Sequence, residues 1–144
     1  MRNAFTICGL VLAAGLLFLA GSCSSEPDRL SPVRGKVFYR ESPLPGGTIV
    51  FTPDADRGGS GLQARAEIQP DGSYVLRTEQ APGAVPGWHR VTVSLVEAPA
   101  QAAGGQRYAV PRSLVPQKYR DPELSGLSYE VKADQANDID VHLE

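Results

Sequence analysis

Between Leu62 and Ile68 the chain alternates without a break, with Leu62, Ala64, Ala66 and Ile68 on one side and Gln63, Arg65 and Glu67 on the other. A period of two describes a β-strand with one dry face and one wet face. Pro70, Asp71 and Gly72 follow as a tight turn, because proline presets its φ and glycine accepts a positive one. Ser73 to Thr78 then returns with Tyr74 and Leu76 on the apolar side, which predicts a hairpin. A hairpin with one greasy face cannot stand alone in water, so a second layer has to cover it.

The rest of the chain supplies that layer in the same idiom. Val33 to Tyr39 reads as a strand with Val33, Val37 and Tyr39 inward. Pro43, Pro45, Gly46 and Gly47 turn it into Thr48 to Thr52, with Ile49 and Phe51 inward. Trp88 to Glu97 places His89, Val91, Val93 and Leu95 on one face, and Leu127 to Val131 and Asp138 to Leu143 complete the set, with Ile139, Val141 and Leu143 inward. Twelve prolines and twelve glycines after Cys23 punctuate these runs, a pattern of short strands and turns and not of disorder. The expected fold is an all-β, seven-stranded antiparallel β-sandwich. Ala98 to Gly126 carries four prolines and little periodicity, a length at which a loop is functional, mobile or packed across a sheet.

The N-terminus carries a different signal. Arg2 precedes an apolar or small run from Ala4 to Gly21. Its fourteen uncharged residues from Ile7 to Ala20 would span roughly 21 Å as a helix, short of a ~30 Å hydrocarbon core. That suits a cleaved signal segment. Ala20, Gly21, Ser22 and Cys23 resemble the lipobox of bacterial lipoproteins, although Leu19 sits one place earlier than the usual leucine. The only other cysteine, Cys8, lies inside the signal segment, so the mature domain can form no internal disulfide. The expected organisation is a signal peptide over 1–22, a lipidated Cys23 with a tether to 32, and one sandwich domain over 33–144. Diacylglyceryl attachment supplies two chains, enough for stable anchoring to a membrane. Ser24 lacks the aspartate cue for inner-membrane retention, which favours the outer membrane, on its periplasmic or cell-surface side. The net charge of −2 for 144 residues, with signs interspersed, excludes a nucleic-acid surface.

In order, GKVFYRESPLPGGTIVFTP, IQPDGSYVL, PGWHRVTV and VPQKYRDPELSGLSYEVKADQANDIDVHL resemble the carboxypeptidase regulatory-like, transthyretin-like lipoproteins abundant in planctomycetes. The resemblance covers nearly all of 33–143 and implies a prealbumin-like sandwich in a family without established activity. His89 departs from it, since the common form has an aromatic there.

Candidate chemistry is sparse. Hydrolases among transthyretin relatives use paired histidines, an arginine and a C-terminal Tyr-Arg-Gly-Ser, whereas this chain has only His89 and His142, with opposite parity, and ends in Glu144. There is no GxSxG elbow and no HExxH motif. Asp54 and Asp56 beside Gly58, Gly59 and Gly61 offer oxygen ligands for a cation, but position 58 and a closing glutamate are missing, so a solvated loop is expected. Asp138 and Asp140 alternate on an outer face. Lys36, Asn137 and Glu67 or Glu130 have the residue types of an intramolecular isopeptide bond, yet Lys36 faces solvent by parity, where its amine stays charged. Trp88, His89, Tyr108 and Tyr119 are the candidates for a ligand surface, with loop pinning the simpler role for the two tyrosines. The function expected is a non-catalytic surface lipoprotein, without cofactor or metal, with a structural role or a protein or glycan partner in the envelope. The alternatives are a small hydrolase using His89 and an accessory module of a larger envelope complex.

Overall fold

The computed structural model describes residues 29–97 and 112–144. The expected signal segment, Cys23 and Tyr108 lie outside them. Thirteen β segments and two 3₁₀ turns make up the described chain: β1 (Val33–Tyr39), β2 (Ser42–Pro43), β3 (Thr48–Pro53), β4 (Ala64–Glu67), β5 (Ser73–Val75), β6 (Arg77–Thr78), β7 (Ala81–Pro82), β8 (Gly87–Ser94), β9 (Val96–Glu97), β10 (Arg112–Ser113), β11 (Ser128–Val131), β12 (Asn137–Asp138) and β13 (Val141–Leu143). The described chain is all-β and mostly antiparallel, consistent with a β-sandwich. The larger sheet runs β11-β8-β3-β4-β6-β7, all antiparallel. The smaller one is built on β1, with β5 and β2 antiparallel to it and β12 and β13 parallel.

That parallel ladder corrects the expectation of purely antiparallel sheets. Alternation tells which face a side chain takes and carries no information on strand direction. Seven expected strands become thirteen segments for a related reason, since several strands break where they change partners. Ser73 to Thr78 is the clearest example: β5 pairs with β1, and β6 returns to pair Arg77 with Arg65 of β4. The expected hairpin thus survives at its two ends and crosses between sheets in the middle.

Inward parity is largely what the structure adopts. Val33, Val37, Ile49, Phe51, Ala64, Ala66, Ile68, Tyr74, Leu76, Val91, Val93, Val141 and Leu143 form the core. Tyr39, Leu95 and Ile139 pack partly buried against it. Leu62 departs, 55% exposed, because the strand starts only at Ala64. The core also takes Leu44, Ala84, Val85, Val115 and Tyr119, none of which sits in an alternating run. Leu44 explains why the first turn is not where its prolines and glycines suggest. Its N–H donates to the Val37 carbonyl (2.8 Å), which makes Ser42–Pro43 a return strand and moves the two-residue turn to Arg40 and Glu41. Both adopt left-handed φ values, 48° and 66°, that favour asparagine and glycine.

The chain joins the fold two residues before Val33, through reciprocal main-chain hydrogen bonds between Ser31 and Ala84 (2.9 and 3.0 Å). Its far end runs beside β1 in constant register, with the ladder interrupted at Ile139 and Asp140. At Gly35 a Cβ would lie 1.9 Å from the Ile139 carbonyl oxygen, so only glycine lets that backbone pass. The same carbonyl accepts from the Tyr74 hydroxyl (2.7 Å), whose ionisation burial pushes to higher pH. Asp140 accepts the Lys36 N–H (2.8 Å), and Asp138 accepts from Arg34 (2.6 Å), a bond that holds the Asp138 carboxyl below the usual carboxylate range. These two aspartates, expected only to solvate an outer face, bridge the break between β12 and β13.

Candidate functional site

Three consecutive residues of β8, Trp88, His89 and Arg90, bring most of the candidate residues together. Strand alternation sends His89 into the core and leaves Trp88 and Arg90 on the outer face. The Trp88 carbonyl accepts the Asp54 N–H (2.8 Å), which sets the loop after β3 alongside.

Asp54 is buried and caps a 3₁₀ turn, Ala55–Arg57, by accepting the Asp56 N–H (3.2 Å). Its other neighbours are cations, Arg90 Nε at 3.1 Å and Arg57 Nε at 3.7 Å. Arg90 also meets Asp56 and, from the loop before β11, Glu123. Three carboxylates from two loops therefore converge on one guanidinium, whose planar fork of donors suits several acceptors at once. Arg57 lies over the Trp88 ring, its guanidinium carbon 4.3 Å from the centroid. Asp54 and Asp56, weighed as cation ligands, close instead on Arg90. No cluster of three His, Cys, Asp or Glu suited to a metal occurs among the described residues. A shallow depression of about 370 Å³ lies elsewhere, beside Arg29, Gly58 and Val85, while the one over Arg90 measures about 300 Å³ and is walled by these same charges.

Under this network His89 is 1% exposed and leans on the Phe51 ring (centroids 5.9 Å apart). A carbonyl can only accept, so the 2.9 Å contact with Gly87 O makes Nδ1 the protonated nitrogen. Nε2 is then an acceptor with no partner among the described residues, sealed from solvent. Burial lowers the His89 pKa below its ordinary value, opposed by the Gly87 hydrogen bond, which favours the protonated ring. The structure does not bring His142 to it. That residue is exposed and stacks on Phe38 across the β1–β13 ladder, centroids 5.0 Å apart.

Of the four residues expected at a ligand surface, Trp88 is half-buried on the outer face, while His89 and Tyr119 are core. Tyr119, 3% exposed on the 3₁₀ turn Gln117–Arg120, exchanges hydrogen bonds with Glu144 at 2.8 and 3.2 Å. It pins the second half of the long segment to the C-terminus. Asn137, the isopeptide candidate, gives its amide to the loop before β12, accepting from Lys132 N (2.8 Å) and donating to the Lys132 and Gln135 carbonyls (3.0 Å each). Lys36 is exposed and pairs in register with Ser73. Arg57, Arg90 and Glu123 were missed from sequence. The outward parity of Arg90 opposite Thr52, one residue from the Asp-rich loop, was the available hint.

Compared with known proteins, the chain matches no family model, no curated protein and no solved structure.

Proposed function

We propose that the chain is an exported lipoprotein, acylated at Cys23, whose transthyretin-like sandwich of the carboxypeptidase regulatory-like kind binds an envelope partner without catalysing a reaction. The observation that supports a binding or structural role is how the chemistry-bearing side chains are spent. Arg90 is shared among Asp54, Asp56 and Glu123, His89 turns its unprotonated nitrogen into the core, and Tyr119 ties down Glu144. Groups held this way keep a fold in register and present little to a reacting substrate. The anchor would hold the domain within a short tether of the membrane, because Ser31 already belongs to the sandwich.

Mass spectrometry of the membrane fraction tests the anchor: the mature chain should begin at Cys23 and carry diacylglyceryl, and Cys23→Ser should accumulate as the uncleaved precursor. Unmodified Cys23 in that fraction would overturn it. Turnover of an ester or amide substrate by wild-type protein, lost in a folded His89→Gln variant, would overturn the non-catalytic reading.

A further inference from the structure

The wall of the sandwich has an opening where the central hairpin crosses between sheets. Its turn end is closed by Gln69 N–H to Ser73 O (2.8 Å), with Gly72 in the left-handed conformation (φ 81°) and Asp71 accepting from the Ser73 N–H (3.0 Å) and hydroxyl (2.6 Å). Its other end is closed where Arg65 pairs with Arg77. Between these clamps β4 and β5 share no ladder, because β5 is drawn to β1. The Leu76 N–H donates to Val33 O, so by alternation the main-chain groups of Val75 point away from β1, toward β4. The Ile68 N–H donates to Gly47 O, so those of Glu67 point toward β5. Two residues thus face each other across the gap without a strand partner among the described residues.

The gap floors a groove of about 670 Å³, within the ~300–1,000 Å³ of small-ligand sites. Arg65, Glu67, Arg77 and Glu79 line it, and none of the four makes an ion pair among the described residues. Arg65 and Arg77 stand directly opposite each other, a like-charge pairing that strands normally avoid. Arg77 is steadied by donating to Gln80 O (2.7 Å). Val75, 61% exposed, adds an apolar contact.

We infer that this groove binds a short extended peptide of mixed charge, its carboxylate on the Arg65–Arg77 pair, its ammonium at Glu67 and Glu79, and its main chain bonded to Glu67 and Val75. The inference rests on the binding role proposed above and names the partner's chemistry as peptide. Two opposed arginines and two glutamates match a ligand carrying both signs, and N–H and C=O groups outside any described ladder match a main chain. A sugar ring would be met by an aromatic face, and the one aromatic at the groove, Tyr74, is buried with its hydroxyl engaged by Ile139. Only a residue or so of main chain fits between the clamps, so charge supplies most of the specificity.

The test is amide NMR mapping on the isotope-labelled full chain in detergent micelles, titrated with capped tripeptides Lys-Val-Asp, Asp-Val-Asp, Lys-Val-Lys and Ser-Val-Ser and with chitotriose. The mixed-charge peptide should shift the amides of Glu67, Val75 and Arg77 with a Kd near ~1 mM, and the other three should bind about tenfold or more weakly. An Arg65→Ala/Arg77→Ala variant should lose that preference while keeping the remaining spectrum. Silent groove amides with every probe, equal shifts from all four peptides, or binding there by chitotriose alone would overturn the inference. Shifts confined to the Trp88 face would do so too, and would leave the binding role itself standing. Acylation and turnover, which decide the proposed function, are read by separate assays.

Discussion

Two arginine clusters on the larger sheet use the same charge in opposite ways. At β8 one guanidinium serves three carboxylates from two loops, one of them buried. At the β4–β6 pairing two arginines stand opposite each other, with no ion pair to either among the described residues. The first arrangement closes the surface by satisfying its charges internally. The second leaves charge to be satisfied from outside, beside strand edges already parted by the crossing. The difference identifies which polar surface builds the domain and which is open to a partner.

The largest way to break the contrast is Asp54→Ala, which removes the cap on Ala55–Arg57 and takes from Arg90 the one buried carboxylate of its three. It should destabilise the domain by about 2 kcal/mol in urea unfolding, with Asp54→Asn losing less because its side-chain oxygen keeps the cap. A cost no greater than for Arg65→Ala would erase the distinction.

Acid should act next, through the histidine beneath the closed cluster. Burial lowers the native pKa of His89 below its ordinary 6.5. As pH falls through about 6.5 the unfolded chain takes up a proton that the native ring refuses, so stability drops over that interval down to the native value. Above it both states are neutral and His89 has no effect. Thermal melts from pH 8 to pH 5 should show this decline, and His89→Phe, which packs on Phe51 without a titrating group, should flatten it. A parallel decline in the variant would assign the sensitivity to other groups.

Arg57→Ala sharpens the comparison at the surface. It uncovers the Trp88 ring and removes one neighbour of Asp54, with an expected cost of about 0.5–1 kcal/mol and a red shift in tryptophan emission. An unshifted spectrum would mean that the guanidinium does not shield the ring. The smallest effects belong to the open cluster: Arg65→Ala and Arg77→Ala should each change stability by no more than about 0.5 kcal/mol, and any change should favour folding, since like charges are parted. Losses above 1 kcal/mol, roughly the scale of a structural hydrogen bond, would show that these arginines also build the fold.

Much of the fold was legible because burial imposes a strict period. Tyr74 and Leu76, Val91 and Val93, and Val141 and Leu143 all lie inward as alternation requires, and His89 follows the same rule into the core. Leu44, Ala84 and Val115 were not legible, since they lie in turns and connections where no period exists and only the neighbouring layer determines what is covered. The site was legible in part. Trp88 was readable as an outward ring, but its partner Arg57 and the convergence of Asp54, Asp56 and Glu123 on Arg90 join segments up to 69 residues apart in sequence.

By itself, then, the sequence determined that this domain is all-β and which side of each strand is dry, because side chains alternate with a fixed period whatever the strand pairs with. It also set the like charges of Arg65 and Arg77 on the wet side. Only the tertiary structure decided that β1 runs parallel to the C-terminal strands, that β5 leaves β4 for β1, and that the resulting gap opens beside those two arginines. Main-chain hydrogen bonds are blind to side-chain identity, so partner and direction follow from how two layers close around a shared core, which no local pattern records.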